Sequence, residues 1–412
     1  MKQLFLFTCL SILAFACVNK KTQPVKEVRQ DSVPKKGSFG FDLAFLKKHK
    51  DVLVLSDSGS QAKIAIVKDY QARVMTSTAM GDEGNSYGWL NYELIGSGKS
   101  QPHFNPLGGE DRFWIGPEGG QYAVFFKKGD PFDFNHWQTP ALIDTEPFEL
   151  VSVNPTEATF KKSSLLTNYQ GYEFNFEVHR QIKLLSNDAI QREFGIVTRN
   201  LKSVAFESRN AIINTGKKSW TRKNGLLSIW ILGMYNPSDK TTIILPYEKS
   251  TDFTKKVTDN YFGAIPSDRI VKSDSLLLLK GDGRHRGKVG IAPTIAKNVA
   301  GSYDAGRHIL TLVKFDVDKS ADYVNSKWEM QKEPYRGDVV NSYNDGPLAD
   351  GGQLGPFYEL ESSSPAKELK PGERLEHRHI TLHLEGDEAL LNEIARKTLG
   401  VSLPDVARVF GK

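Results

Sequence analysis

Gly108-Gly109-Glu110-Asp111-Arg112-Phe113-Trp114-Ile115-Gly116-Pro117-Glu118-Gly119-Gly120 is the stretch from which the rest of the chain can be read. Its glycine pairs bracket a run, Arg112 to Ile115, that reads as a short strand with a turn at each end. Period-2 alternation puts Arg112 and Trp114 on one face and Phe113 and Ile115 on the other. The first face carries a planar cation and a large aromatic surface, flanked by Glu110, Asp111 and Glu118. Polyhydroxylated ligands are gripped by such groups, because hydroxyls exchange hydrogen bonds with carboxylate and guanidinium while apolar ring faces stack on indole. The same residues also fit a glycine-cornered hairpin with a structural Arg–Glu pair.

Outward from this stretch the chain reads as strands. Short apolar or alternating runs stand close together between Gly, Asn, Asp and Pro: Lys63–Lys68, Tyr122–Phe126, Ile182–Leu185, Ser228–Leu232, Thr241–Leu245, Leu276–Leu279, His308–Phe315 and His377–Leu384. Helical spacing is confined to a short segment, Phe41 to Lys48, and to Glu388–Leu399 near the end. A strand-rich chain with few short helices and one terminal helix predicts an all-β fold, a large antiparallel sandwich. The 412 residues, 39% hydrophobic and 25% charged, are ample for one large core. A formal charge of +5 with scattered basic residues leaves no nucleic-acid footprint.

The first residues read as an export signal. Lys2 supplies a basic start, and Leu4 to Phe15 form an apolar run too short to span a bilayer. Leu13-Ala14-Phe15-Ala16-Cys17 resembles a bacterial lipobox, whose cysteine is lipidated; a plain secretory signal with a chance cysteine is the other reading. Residues 1–17 are therefore expected to be a lipoprotein signal and 18–37, polar with lysines and prolines, a flexible tether. The chain has 2 Cys, and Cys9 lies in the signal, so no disulfide is expected. Val18-Asn19-Lys20-Lys21 carries no acidic run after Cys17. The expected location is thus the cell envelope, lipid-anchored and periplasm-facing at the outer membrane.

Several motifs fail on their context. Gly84-Asn85-Ser86-Tyr87-Gly88 has nucleophile-elbow spacing, but a turn precedes the serine and no helix follows. Gly98-Lys99-Ser100 lacks the earlier glycine of a phosphate loop, with Glu93 in its place. His377, His379 and His383 share one strand face, opposite Arg378, Ile380, Leu382 and Leu384, and read as a solvent-facing polar row rather than a zinc site. No metal and no cofactor is expected, and no oligomeric state follows from these residues.

Two further stretches complete a pattern. Arg180-Gln181-Ile182-Lys183-Leu184-Leu185 leads to Asn210-Ala211-Ile212-Ile213-Asn214-Thr215-Gly216, and Phe357-Tyr358-Glu359-Leu360-Glu361-Ser362-Ser363-Ser364-Pro365 is followed by Leu369-Lys370-Pro371-Gly372-Glu373. Together with the opening stretch, in this order, they resemble the galactose mutarotase-like superfamily. There a Gly-rich segment ending in Trp-x-x-Pro-Glu comes early, and a glutamate strand, a proline and a Leu-x-Pro-Gly-Glu turn close the domain. More narrowly, Gly-Gly-Glu-Asp-Arg-Phe-Trp and the Trp-Gln-Thr-Pro of Trp137 to Pro140 resemble an uncharacterised family of lipoproteins from Bacteroidota. The resemblance spans roughly residues 40–386.

The resemblance implies one very large β-supersandwich over residues 38–386, followed by a helical tail at 387–412, with a carbohydrate on its concave sheet. Aldose epimerases of this type open the sugar ring with a histidine acid and a glutamate base. The glutamate corresponds to Glu361 or Glu359, two apart on one strand. His136, beside Trp137, is the candidate histidine, although its surroundings depart from the epimerase pattern. Arg180 shares its face with Val178, Ile182 and Leu184, as a buried ion pair or the floor of a cleft would, and the implied concave sheet favours the cleft. Arg112, Trp114, Glu118, Trp137, Arg180 and Asp111 are the expected ligand contacts. The expected function is that of a periplasmic lipoprotein enzyme acting on a sugar or oligosaccharide by carboxylate and histidine acid–base chemistry. The alternatives are a glycan-binding lipoprotein without turnover and a structural envelope protein.

Overall fold

Alternation along Glu173–Leu184 sets the architecture. Phe174, Phe176, Val178, Ile182 and Leu184 are buried, while Glu173, Asn175, His179 and Lys183 face water. The computed structural model describes Met1, residues 34–348 and residues 351–410. In it this strand belongs to a ten-stranded antiparallel sheet, ordered Ile270–Lys272, Leu276–Lys280, Thr241–Pro246, Val299–Asp304, Ile309–Phe315, Arg374–Glu385, Lys202–Asn214, Glu173–Leu184, Glu157–Thr167, Glu149–Asn154. A second antiparallel sheet has six strands, ordered Val257–Thr258, Gly287–Ile291, Val340–Asn344, Tyr358–Ser363, Ser228–Tyr235, Arg112–Gly116. A small sheet of Val52–Ser56, Lys63–Val67 and Arg73–Thr78 stands apart from both ladders.

The two large sheets form the sandwich that the strand pattern predicts. Phe113, Ile115, Ile229 and Ile231 of the six-stranded sheet share one core with Phe160, Phe176, Val178, Phe206 and Ile212 of the ten-stranded sheet. Each such side chain contributes about 1.5–3 kcal/mol by leaving water. From Pro34 onward the chain forms one compact unit. Apart from Met1, the segment expected as a signal, with Cys17, and the expected tether up to residue 33 lie outside the described residues.

Helices cap the sandwich. Phe39–His49 starts at Ser38, whose Oγ accepts from the Phe41 N–H at 3.3 Å. At the other end Glu388–Thr398 is followed by a second helix, Leu403–Val409, that the apolar spacing did not reveal. Both lie on the outer face of Arg374–Glu385. There Ile380, Leu382 and Leu384 pack against Leu391, Ile394, Leu403 and Val406.

That cover overturns the reading of the histidine row. His377, His379 and His383 are at most 2% exposed and face the interior, because the helices claim the opposite face. Tyr122–Phe126, expected as a strand, is instead a set of turns after Gly119-Gly120. Its Phe125 and Phe126 pack among Trp114, Trp137 and Trp328.

Candidate functional site

The glycine pair before Arg112 is required by its surroundings. Gly108 and Gly109 have φ of +94° and +112°, and a Cβ on Gly109 would lie 2.5 Å from Cδ of Arg73. The turn delivers Arg112–Gly116 to the edge of the six-stranded sheet, where Arg112 stands opposite Leu232 and Trp114 opposite Trp230. One strand further, Leu232 faces Glu361 and Met234 faces Glu359. Tyr343 then faces Glu359, and Lys288 faces Tyr343. Directly opposed residues project from the same side of a sheet. Register alone therefore gathers Arg112, Trp114, Trp230, Tyr343, Glu359, Glu361 and Lys288 on the face turned away from the ten-stranded sheet.

A cleft of two adjoining lobes, about 540 and 280 Å³, opens on this face. Glu118, Trp230, Arg286, Lys288, Trp328 and Tyr343 line both lobes. The smaller lobe adds Arg112, Trp114, Trp137 and Glu359. One wall is aromatic: Trp137 stacks on Trp328 at 5.8 Å between ring centroids and on Phe134 at 6.0 Å. On the sheet itself, Trp114 and Trp230 meet edge to face at 5.5 Å.

The polar groups divide into paired and unpaired. Arg112 donates from Nη2 to Oε1 of Glu359, both side chains being buried. Burial pushes the Glu359 carboxyl up, and nearby Glu361 adds to this, against the pull of Arg112. Oε2 of Glu361 accepts from the Trp230 indole at 3.0 Å and lies 3.2 Å from Nζ of Lys288. Glu118 is half-buried; burial raises its carboxyl too, with Lys288 opposing. Several buried atoms here lack any partner: Nε and Nη1 of Arg112, Nε1 of Trp114, Oε1 of Glu361, Oγ of Ser228 and Nε of Arg286. Each such group costs about 1–3 kcal/mol unless something binds it. Their convergence on one aromatic cleft is the mark of a site for a polar ligand.

Of the residues expected from the sequence, Arg112, Trp114, Glu118, Trp137 and Glu359 line the cleft, and Glu361 is held by two of its lining residues. Three are elsewhere. His136 is exposed and bonds to Asp133 of its own loop at 2.7 Å, lining neither lobe. Arg180 and Asp111 are fully buried between the sheets as an ion pair and line neither lobe of this cleft. Arg180 also donates to Asn210 at 2.5 Å, and Asp111 accepts from Ser208 at 2.8 Å. These bonds compensate the burial of both charges, which is why the pair can share a face with Val178 and Ile182.

Trp230, Lys288, Arg286, Tyr343 and Trp328 were not found by sequence reasoning. Lys288, a cation within the otherwise apolar Gly287–Ile291, was the available signal. His103 is the histidine that does reach the smaller lobe, its Nδ1 2.7 Å from the Trp137 carbonyl. Among the described residues no cluster of three or more His, Cys, Asp or Glu is arranged to hold a metal, and no helix is long and apolar enough to cross a membrane.

Among solved structures the chain is similar to the Slr1438 protein from Synechocystis sp. PCC 6803, at 13% identity and a TM-score of 0.49, covering 82% of this chain and 96% of that one. It is also similar to a galactose mutarotase-like protein from Lactobacillus casei ATCC 334, at 11% identity and a TM-score of 0.47, covering 81% and 99%. A galactose mutarotase related enzyme from Lactobacillus acidophilus shares 11% identity at a TM-score of 0.44, covering 82% and 98%. No curated protein matches the chain. Residues 37–410 match the model described as "Family of unknown function (DUF6786)", and the chain belongs to that family.

Proposed function

We propose that this protein is a carbohydrate-active lipoprotein of the cell envelope, an enzyme that works on a sugar or oligosaccharide in the cleft of the six-stranded sheet. The observation that carries the reading is the row of unpaired buried polar atoms facing indole surfaces, which matches the alternating hydroxyls and apolar faces of a sugar ring. The order of the Gly-rich, glutamate-strand and Leu-x-Pro-Gly-Glu motifs supports the same ligand class through the mutarotase-like resemblance.

Three carboxyls are at hand and suit different roles. Glu361 keeps one oxygen free and has Lys288 beside the other, so it suits the base better than Glu359, whose charge is tied to Arg112. Glu118, pushed toward its protonated form, suits the acid. Arg112 and Glu359 then orient hydroxyls, and Trp114 and Trp230 carry the ring faces. Anomer interconversion and glycoside cleavage, followed by NMR over a panel of sugars, test this reading. Glu361→Gln is expected to lower turnover about a hundredfold or more with affinity largely kept. Trp230→Ala is expected to weaken binding instead. A Glu361→Gln protein with unchanged turnover refutes the assignment.

Glycan binding without turnover is a second reading, favoured by the pairings that hold Glu359 and Glu361 in place. In that case Trp230→Ala still weakens binding, and no sugar is converted.

The envelope location rests on the lipobox at Leu13 to Cys17 and on the likeness to Bacteroidota lipoproteins. Cys17→Ala is expected to release the protein from membranes or to leave its signal uncleaved, read by fractionation. Protease added to intact cells is expected to leave the wild type uncut.

A further inference from the structure

Arg286 lines both lobes of the cleft and forms no ion pair among the described residues. It precedes Gly287–Ile291, and alternation sets it on the same side as Lys288, next to Tyr343. Among the described residues it makes no hydrogen bond and no ion pair, and its Nε is buried and unpartnered. Its guanidinium lies 3.9 Å from the ring centroid of Phe262, a side chain 41% exposed that lines both lobes. The contact with Phe262 holds the guanidinium against a residue that lines both lobes.

Lys327 of the larger lobe carries no ion pair among the described residues either, and Glu118, which lines both lobes, is pushed by burial toward its neutral form; the other neighbouring charges are committed. Lys288 belongs to Glu361 and the Trp230 ring, and Arg112 to Glu359. Asp338 accepts from the Tyr261 hydroxyl at 2.6 Å. Asp345 accepts from the Tyr343 hydroxyl at 2.5 Å and from the Gly355 N–H at 2.9 Å. Burial raises both of these carboxyls, so neither is disposed to neutralise Arg286. A neutral sugar would take hydrogen bonds from this guanidinium but leave its charge uncompensated. An anionic one supplies the missing charge, and the planar fork of arginine pairs with two oxygens of a carboxylate or sulfate at once.

We infer that the ligand of this cleft is an anionic sugar, whose carboxylate or sulfate docks on Arg286 where the two lobes meet. The inference rests on the carbohydrate reading above and narrows its substrate class. Titration calorimetry at pH 7 and low salt on the purified protein tests it. The probes are trigalacturonate with its neutral methyl ester, and a sulfated galactotriose with unsulfated galactotriose. At least one charged probe is expected to bind about tenfold more tightly than its neutral counterpart, and to lose that margin as salt rises. The arm that shows the margin distinguishes carboxylate from sulfate. Arg286→Gln is expected to bring the charged probe down to the affinity of the neutral one, and Arg286→Lys to keep part of the margin. Melting temperatures of both variants separate lost folding from lost recognition. Equal binding of charged and neutral probes, or a margin that survives Arg286→Gln, overturns this inference alone. Failure of every sugar to bind overturns the carbohydrate reading with it.

Discussion

Glu118 holds a carboxyl in the cleft that burial pushes toward its protonated form while Lys288 pulls it back. A carboxyl whose folded pKa exceeds its unfolded value costs the fold nothing at a pH below both. Its cost grows as pH rises through the window between them. Glu118→Gln removes that cost and keeps the size of the side chain. Its melting temperature is therefore expected to exceed the wild type's at about pH 8 and to converge with it near about pH 3, where both carboxyl states are protonated. Thermal unfolding across this range reads the difference, and a variant no more stable than wild type at the higher pH refutes the assignment. The same change is expected to remove the acid and lower turnover. A site residue that destabilises its own fold in this way is common where chemistry needs a shifted pKa.

At the scale of elements, Arg374–Glu385 does two jobs with its two faces. The outer one takes the C-terminal helices. The inner one sends His377 Nε2 and His379 Nδ1 to Oγ of Ser362, at 2.7 and 2.8 Å. Ser362 follows Glu361 on Tyr358–Ser363, so these bonds fasten the strand that carries the proposed base to the sheet behind it. Burial pushes His377 down to about 3, with His379 adding to it, and His379 down to about 4. Both histidines are thus neutral in the fold and take up protons on unfolding. Their contribution is complete above about pH 6.5, the unfolded value, and is lost as pH falls toward the folded values, at up to about 1.4 kcal/mol per pH unit for each. Urea unfolding at pH 7 and pH 5 checks this: His379→Gln is expected to lose about 2 kcal/mol less than wild type between the two. An unchanged slope would exclude His379 as a source of acid sensitivity.

For the molecule as a whole, the Arg180–Asp111 pair is a tie between its layers. Arg180 belongs to the ten-stranded sheet, and Asp111 immediately precedes the edge strand of the six-stranded one. Breaking one partner leaves a charge or polar group buried without compensation. Asp111→Asn and Arg180→Met are each expected to cost about 3–5 kcal/mol. The double variant Asp111→Leu with Arg180→Met is expected to cost less than the sum, since no lone charge is left. Denaturant unfolding measures all three; single variants within about 1 kcal/mol of wild type would show that the pair does not bind the layers together.

Local pattern determined a good deal. The apolar and alternating runs located strands in all three sheets, the glycine pairs marked the turn into Arg112–Gly116, and the motif order pointed to the sandwich and to Arg112, Trp114, Glu118, Trp137, Glu359 and Glu361. These signals are carried by backbone conformation and by alternation within a single strand, which neighbours in sequence dictate. Only the tertiary structure decided which face of each strand was inside. The alternation of Arg374–Glu385 is the same whether its histidines meet water or a second sheet, and two helices beyond residue 387 settled the matter by covering the other side. Arg180 and Asp111 are 69 residues apart, and their pairing neutralises charges that each looked available to a ligand. The cleft is likewise a product of register. Trp230, Lys288 and Tyr343 come beside Arg112 because non-consecutive strands align, and a hydrogen-bonded ladder between distant segments leaves no trace in either segment alone.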